Sequence, residues 1–423
     1  MTNTNVIKET LKILTTKNAK NTFIYYTGSF VTSIANYLFH LLLIRLLLPS
    51  YYGEFLSYLS FLYLITIPAG TINLVVSKHI SSFRGKKDNK SINHFFYWIV
   101  RKTFIPSLIL ATVIILSANK LSFLLKAQPT AFYVLSFSLL TSFGESIFSS
   151  YLLAFQKFTT NIKISLSAIS LKIFLAFILI KLGAGATSGV IAIFLASIVS
   201  ISLCFYNIKK YIYPPLKSSK KIEFNIKKYV SYSLILSAGL LSIISIDMLL
   251  VRYFFSPHLS GIYASLSTLG KMIYFGITPI SVLTMTIVSN RHSANKNTKS
   301  VIVKLSLTAF FLGLIGVGVF SVFPHQVVLF LSGSQYLQGV KYLPLVSLSM
   351  FLFGLSNVIL TSLFAIEKPK GSIILFVTCL LQPVLITLFH QTLMQVVTVN
   401  LLVQVSLFFS LVSYYIIATR KSP

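Results

Sequence analysis

The chain has 423 residues, 55% of them hydrophobic and only 10% charged, with a formal net charge of +29. Soluble domains carry about a quarter charged residues, so a single soluble core is excluded and the chain reads as an all-α polytopic membrane protein. The basic excess would suggest nucleic acid in a soluble protein. Here Lys and Arg fall in every second connection between apolar runs, the bias that sets membrane topology, and no nucleic-acid partner is expected.

The N-terminal stretch holds Lys8, Lys12, Lys17 and Lys20 ahead of an apolar run too long for a signal peptide, with no A-x-A site after it. Residues 6–20 read either as a short amphipathic helix on the membrane surface or as a solvated tail. A span needs about 20 apolar residues. On that rule about twelve helices are predicted, near 22–47, 54–77, 93–117, 130–155, 159–181, 188–206, 229–255, 261–288, 301–323, 341–366, 371–393 and 396–418.

The first helix carries Ser29, Ser33, Asn36 and His40 at spacings that place them on one face, either as packing contacts or as a cavity lining. It ends in LLLIRLLLPSYYG at 41–53, and MLLVRYFFSPHLSG at 248–261 repeats that phrase: an apolar helix, a lone arginine, a Pro-containing turn and a glycine. LLAFQKF at 152–158 is answered in the same way by LFAIEKP at 363–369. The chain is therefore expected to be two copies of one unit. Residues 1–206 and 229–423 would each form a six-helix bundle, with 207–228, rich in Lys and carrying Pro214 and Pro215, as the linker. An even number of helices per half gives both halves one orientation, so the pseudo-two-fold axis runs along the membrane normal. The Lys/Arg-rich connections put both termini in the cytoplasm. In the second helix of each half, IPAG at 67–70 and GITP at 276–279 interrupt equivalent apolar runs. Pro68 and Pro279 are therefore either hinges or ordinary membrane-helix prolines.

A charge near mid-bilayer costs about 2.5–3.5 kcal/mol on insertion scales, so each needs a reason. Glu145 and Lys172 lie at matching depth on adjacent helices, as do Asp247 and Lys271, while Arg45 and Glu54 flank the first turn. Mutual neutralisation or substrate contact would explain each pair. Arg252 has no such neighbour, because Asp247 lies five residues back and about 140° around the helix. It either snorkels to the interface or contacts an anionic substrate, for which a guanidinium is well shaped.

Other chemistry is sparse. Cys204 and Cys379 sit within apolar runs, and seven histidines are scattered without HExxH spacing, so neither a disulfide, a metal nor another cofactor is expected. No P-loop motif occurs, so the chain carries no ATPase.

Twelve helices in two parallel repeats, IRLLLPSYYGEF at 44–55, the basic loop after the second helix, and SIDMLLVRYFFSPHLSGIYASLSTLGKMIYF at 245–275 resemble the multidrug/oligosaccharidyl-lipid/polysaccharide exporter superfamily. Within it the likeness is to the polysaccharide transporter and O-antigen flippase branch, and it covers essentially the whole chain. The resemblance implies two bundles around a central cavity in the cytoplasmic membrane, working by alternating access. It implies an isoprenoid pyrophosphate-linked oligosaccharide as substrate, with a coupling ion, H+ or Na+, as further partner. It also implies a cationic cavity, at Arg45, Arg252, Lys271 and Lys172 here. A cation-coupled multidrug exporter is the alternative; such exporters need unpaired membrane carboxylates, whereas Asp247 and Glu145 each have a lysine at matching depth. A membrane polymerase or glycosyltransferase would carry an acidic outer loop, and the long connection at 324–340 has no carboxylate. No catalytic residue is expected.

Overall fold

In the computed structural model, which describes residues 17–86, 88–212, 227–294 and 296–420, helices occupy nearly every stretch. The N-terminal half holds α1 (Lys17–Leu46), α2 (Pro49–Ile65), α3 (Ile67–Gly85), α4 (Asn89–Leu124), α5 (Pro129–Ala154), α6 (Phe158–Lys181) and α7 (Thr187–Ile208). The C-terminal half holds α8 (Lys227–Ile243), α9 (Ile246–Phe254), α10 (Pro257–Ser293), α11 (Lys299–Val322), α12 (Pro324–Leu331), α13 (Leu343–Ala365), α14 (Gly371–Leu388) and α15 (Leu393–Arg420). Helix, rather than strand, follows from the solvent: in hydrocarbon each backbone donor and acceptor has to be satisfied within its own segment. Residues 1–16 and 213–226 lie outside the described residues, and with them most of the expected surface helix and linker.

Among the described residues, eleven helices are long and apolar enough to span, and α2 with α3, bent by 47°, makes a twelfth. The break falls at the predicted Pro68: the ring supplies no donor to the helix before it, and the Thr66 hydroxyl bonds back to the Leu62 carbonyl. Pro279, its counterpart, sits inside an unbroken α10. The C-terminal half instead breaks its seventh span between α8 and α9, at Ile243–Ile246, a site that no proline or glycine marked in the sequence.

The two halves repeat in detail. Both α5 and α13 end in a left-handed residue, Gln156 (φ 58°) and Glu367 (φ 59°). In each, the following amide closes a six-residue loop: Lys157 to the Leu152 carbonyl and Lys368 to that of Leu363, both at 2.8 Å. This is the Schellman ending of a helix, and it falls at corresponding positions of the two repeated motifs. The halves meet where α2 runs along α10 and α3 along α8. Because successive spans alternate in direction, Lys17 at the start of α1 and Arg420 at the end of α15 fall on one face of the bundle. The turns around 47–49, 125–128, 182–186, 255–256, 323–342 and 389–392 lie on the opposite, distal face.

Candidate functional site

A cavity of about 610 Å³ lies between the halves. From α1 it is lined by Ser33, Asn36, Tyr37 and His40, from α2 by Tyr63, from α6 by Lys172 and from α10 by Met272 and Phe275. Lys172 is the sole charged residue among the lining residues, and no carboxylate is among them. The α1 stripe thus faces the cavity through Ser33, Asn36 and His40, while the Ser33 hydroxyl donates to the Ser29 carbonyl at 2.9 Å. Toward the distal face Tyr37 donates to the Thr268 carbonyl at 3.1 Å and Tyr52 shares a 2.7 Å hydrogen bond with the Thr268 hydroxyl, tying the first half to α10.

The expected Glu145–Lys172 pair makes no direct ion contact, although the two stay within electrostatic reach. Lys172 donates to the Asn36 side-chain carbonyl at 2.7 Å and lies 4.3 Å from the Phe39 ring, while Glu145 accepts from Ser200 at 2.6 Å. Both line a side cavity of about 240 Å³ with Asn36, Ser165, Ser197 and Ser200. Glu145 also lines a neighbouring cleft of about 350 Å³ at the α2–α3 break, with Thr66, Asn73, Ser146, Ser149 and Leu241. Shared walls therefore link three hollows: Lys172 and Asn36 join the first two, and Glu145 joins the second to the third.

The expected Asp247–Lys271 pair also yields to hydrogen bonding. Asp247 is buried and accepts from the Tyr263 hydroxyl at 2.5 Å. Tyr263 in turn accepts from Asn400 at 2.8 Å, and Asn400 from Gln382 at 2.9 Å. Gln382 donates as well to the Ile243 carbonyl at 3.2 Å, a group freed by the α8–α9 break. Lys271, buried on α10, stands within electrostatic reach of both Asp247 and His40. Asp247 Oδ1, Gln382 Oε1 and Ser245 Oγ are buried without a hydrogen-bond partner.

The third pairing is exchanged. Glu54 does not face Arg45; its Oε2 lies 3.8 Å from Arg252 Nη2, and its Oε1 accepts from Tyr58 and from the Gln128 amide. Arg252, which the sequence left without a neighbour, is therefore held on every side. Its Nε donates to the Leu125 carbonyl at 2.8 Å, Nη2 to that of Lys126 at 2.6 Å, and Nη1 to the Ser50 carbonyl and the Ser260 hydroxyl. Arg45 is exposed and donates to the Leu329 and Phe330 carbonyls. Depth along a helix fixed how far into the membrane each charge sits; it could not fix azimuth, which decides partners. Tyr263, Asn400, Gln382, Ser200 and Lys126 were not singled out. Tyr263 stood just beyond the repeated phrase, within 245–275, and Lys126 was one of the few cations on distal turns, but only packing brings them to their partners.

Fold and site define a multi-pass membrane protein of two parallel six-helix bundles around a central cavity whose largely apolar wall carries Lys172, Asn36 and His40. No family model and no curated protein matches the sequence. Among solved structures, the fold is that of the lipid II flippase MurJ in an inward closed conformation, with a TM-score of 0.70 at 16% identity over 95% of this chain and 88% of that one. It is equally that of a multidrug resistance MATE family transporter of the MOP superfamily. The inward-facing form gives a TM-score of 0.68 at 16% identity over 93% and 96% of the two chains, and the outward-facing form 0.66 at 16% over 97% and 99%.

Proposed function

We propose that this chain is a flippase that moves an isoprenoid pyrophosphate-linked oligosaccharide across the cytoplasmic membrane by alternating access, without covalent chemistry of its own. Both termini lie in the cytoplasm, so the distal face is external. The observation that carries the reading is the character of the main cavity: a lysine, an asparagine, a histidine and aromatic rings, and no carboxylate among its lining residues. A diphosphate cannot cross hydrocarbon without compensation for its charge, and an ammonium in a low-dielectric pocket supplies that compensation. Lys172 is proposed as the phosphate contact, with Lys271 as a second cation deeper along α10. Tyr37, Tyr63 and Phe275 offer apolar faces for sugar rings, and about 610 Å³ accommodates a head group while the isoprenoid tail stays in lipid. A drug exporter for cationic compounds would want the reverse wall chemistry.

A coupling cation, H+ or Na+, is proposed to act at Asp247. Its free oxygen and the unpartnered Gln382 and Ser245 oxygens are groups whose burial asks for a partner. The test is complementation: the chain is expressed in a host whose surface polysaccharide depends on a flippase of this kind, and surface polymer and lipid-linked precursor are both measured. Restored polymer with cleared precursor supports the reading. Failure to restore it, together with new resistance to cationic dyes, would instead establish the exporter.

A further inference from the structure

The two arginines of the duplicated phrase stand away from the cavity walls, and their contacts form one pattern applied twice. Arg252, at the end of α9, reaches into the first half and donates to the Leu125 and Lys126 carbonyls at the α4–α5 corner. From that corner Lys126 reaches back and donates to the Phe255 carbonyl just beyond α9, at 2.9 Å. Arg45, at the end of α1, reaches into the second half and donates to the Leu329 and Phe330 carbonyls at the end of α12, in the corresponding corner. From there Gln335 reaches back to the Leu47 and Ile44 carbonyls at the end of α1, at 3.2 and 3.5 Å. Each half thus offers one arginine and one corner donor, and each takes the same from the other.

We propose that these two clasps are the external gate: Arg252 with Lys126, and Arg45 with Gln335, latch the distal face shut, and the outward-open state forms when they release. The inference rests on the transport reading above and adds the elements that hold one of its two states. The acceptors explain how such contacts hold. The last carbonyls of a helix lack intrahelical donors and carry the negative end of its dipole, so a guanidinium fork spanning two of them binds well. They also explain release. The partners are backbone carbonyls at the membrane surface, where water can replace the lost bond. Glu54 keeps its hydrogen bonds to Tyr58 and the Gln128 amide within its own half when Arg252 leaves. Opening of the distal face also admits water to both charges, which a substitution in the closed state does not. The clasps are unequal: Arg252 is 2% exposed and has Glu54 beside it, whereas Arg45 lies in the open. Exposed contacts of this kind contribute little, so the Arg252 clasp dominates.

The test is a distance across the distal face, read without any substrate. Spin labels go at Leu182, in the first half, and Gln391, in the second, with Cys204 and Cys379 replaced by Ala. Arg252→Gln is expected to shift the distribution toward longer distances, Arg45→Gln to shift it less, and the double variant most. Unchanged distances in a folded double variant would overturn the proposal. Should Arg252→Gln fail to accumulate, the combination Lys126→Gln, Gln335→Ala and Arg45→Gln keeps Arg252 in place. A membrane-impermeant maleimide added from outside then reports on Phe275→Cys in the cavity wall: faster labelling than in the parent supports the latch, and an equal rate refutes it. These readings move whatever the cargo, so transport lost with unmoved distances would sink the latch and leave the flippase standing.

Discussion

Gly53 and Gly261, equivalent positions of the duplicated phrase, meet backbone to backbone where α2 and α10 begin. A Cβ on Gly53 would come within 2.7 Å of the Gly261 nitrogen, and one on Gly261 within 1.9 Å of the Pro49 carbonyl oxygen. Neither obstacle is a movable side-chain tip, so glycine is required for close approach at the centre of the distal face. The expectation is that Gly261→Ala forces the two helix starts apart, at about 1–3 kcal/mol if the packing merely strains. Thermal unfolding in detergent should fall for Gly261→Ala and less for Gly53→Ala. Equal stability to the parent in Gly261→Ala would contradict the contact.

The two arginines should differ in stability cost. Removing one partner of a buried ion pair leaves the other charge uncompensated and costs about 3–5 kcal/mol; an exposed interaction is worth about 0–1 kcal/mol. Arg252→Ala is therefore expected to lower the unfolding temperature markedly, and Arg45→Ala to leave it nearly unchanged. The same scan checks both, and a similar shift for the two would mean that Glu54 and the corner carbonyls contribute little.

These two comparisons also mark what could be read in the sequence. The twelve spans, the two halves and the duplicated phrase were legible because a bilayer imposes length and apolarity on each helix, and because gene-level repetition leaves its residues in order. The break at Pro68 was legible because proline has no donor. The break at Ile243–Ile246 was not, since no proline or glycine marks it and the freed Ile243 carbonyl finds its donor, Gln382, on another helix. One charge pairing was misread because packing decides it: Glu54 lies close to Arg45 in sequence, yet the crossing of the halves turns it to Arg252.

Lys172 can be tested against its own variants. A hydrogen bond to a charged group contributes about 1.5–3 kcal/mol, which converts to roughly a ten- to hundredfold change in affinity. Lys172→Ala is expected to weaken export by that order, while Lys172→Arg retains most of it. Surface polymer normalised to protein level reads the effect, and unimpaired export in Lys172→Ala would remove the residue from the substrate path.

Asp247→Asn keeps the acceptor for Tyr263 but removes a buried charge. It also leaves the buried Lys271 without its carboxylate neighbour, so thermal stability should fall, while transport in proteoliposomes loses its response to imposed Na+ or H+ gradients. Both measurements are needed, because a purely structural aspartate would show lower stability with gradient dependence preserved.

The prolines give the last contrast. At Pro68 the missing donor coincides with a 47° bend and with the cleft holding Thr66, Asn73 and Glu145, whereas α10 runs unbroken through Pro279. Replacing Pro68 with Ala restores an N–H that can bond to the Leu64 carbonyl four residues earlier, which favours a straight helix. Straightening would press α3 out of its present path along α8 and change the depth of that cleft. Pro68→Ala is thus expected to slow transport severalfold at normal protein level, and Pro279→Ala to slow it little. Equal rates for Pro68→Ala and the parent would show that the bend is fixed by packing and takes no part in the transport cycle.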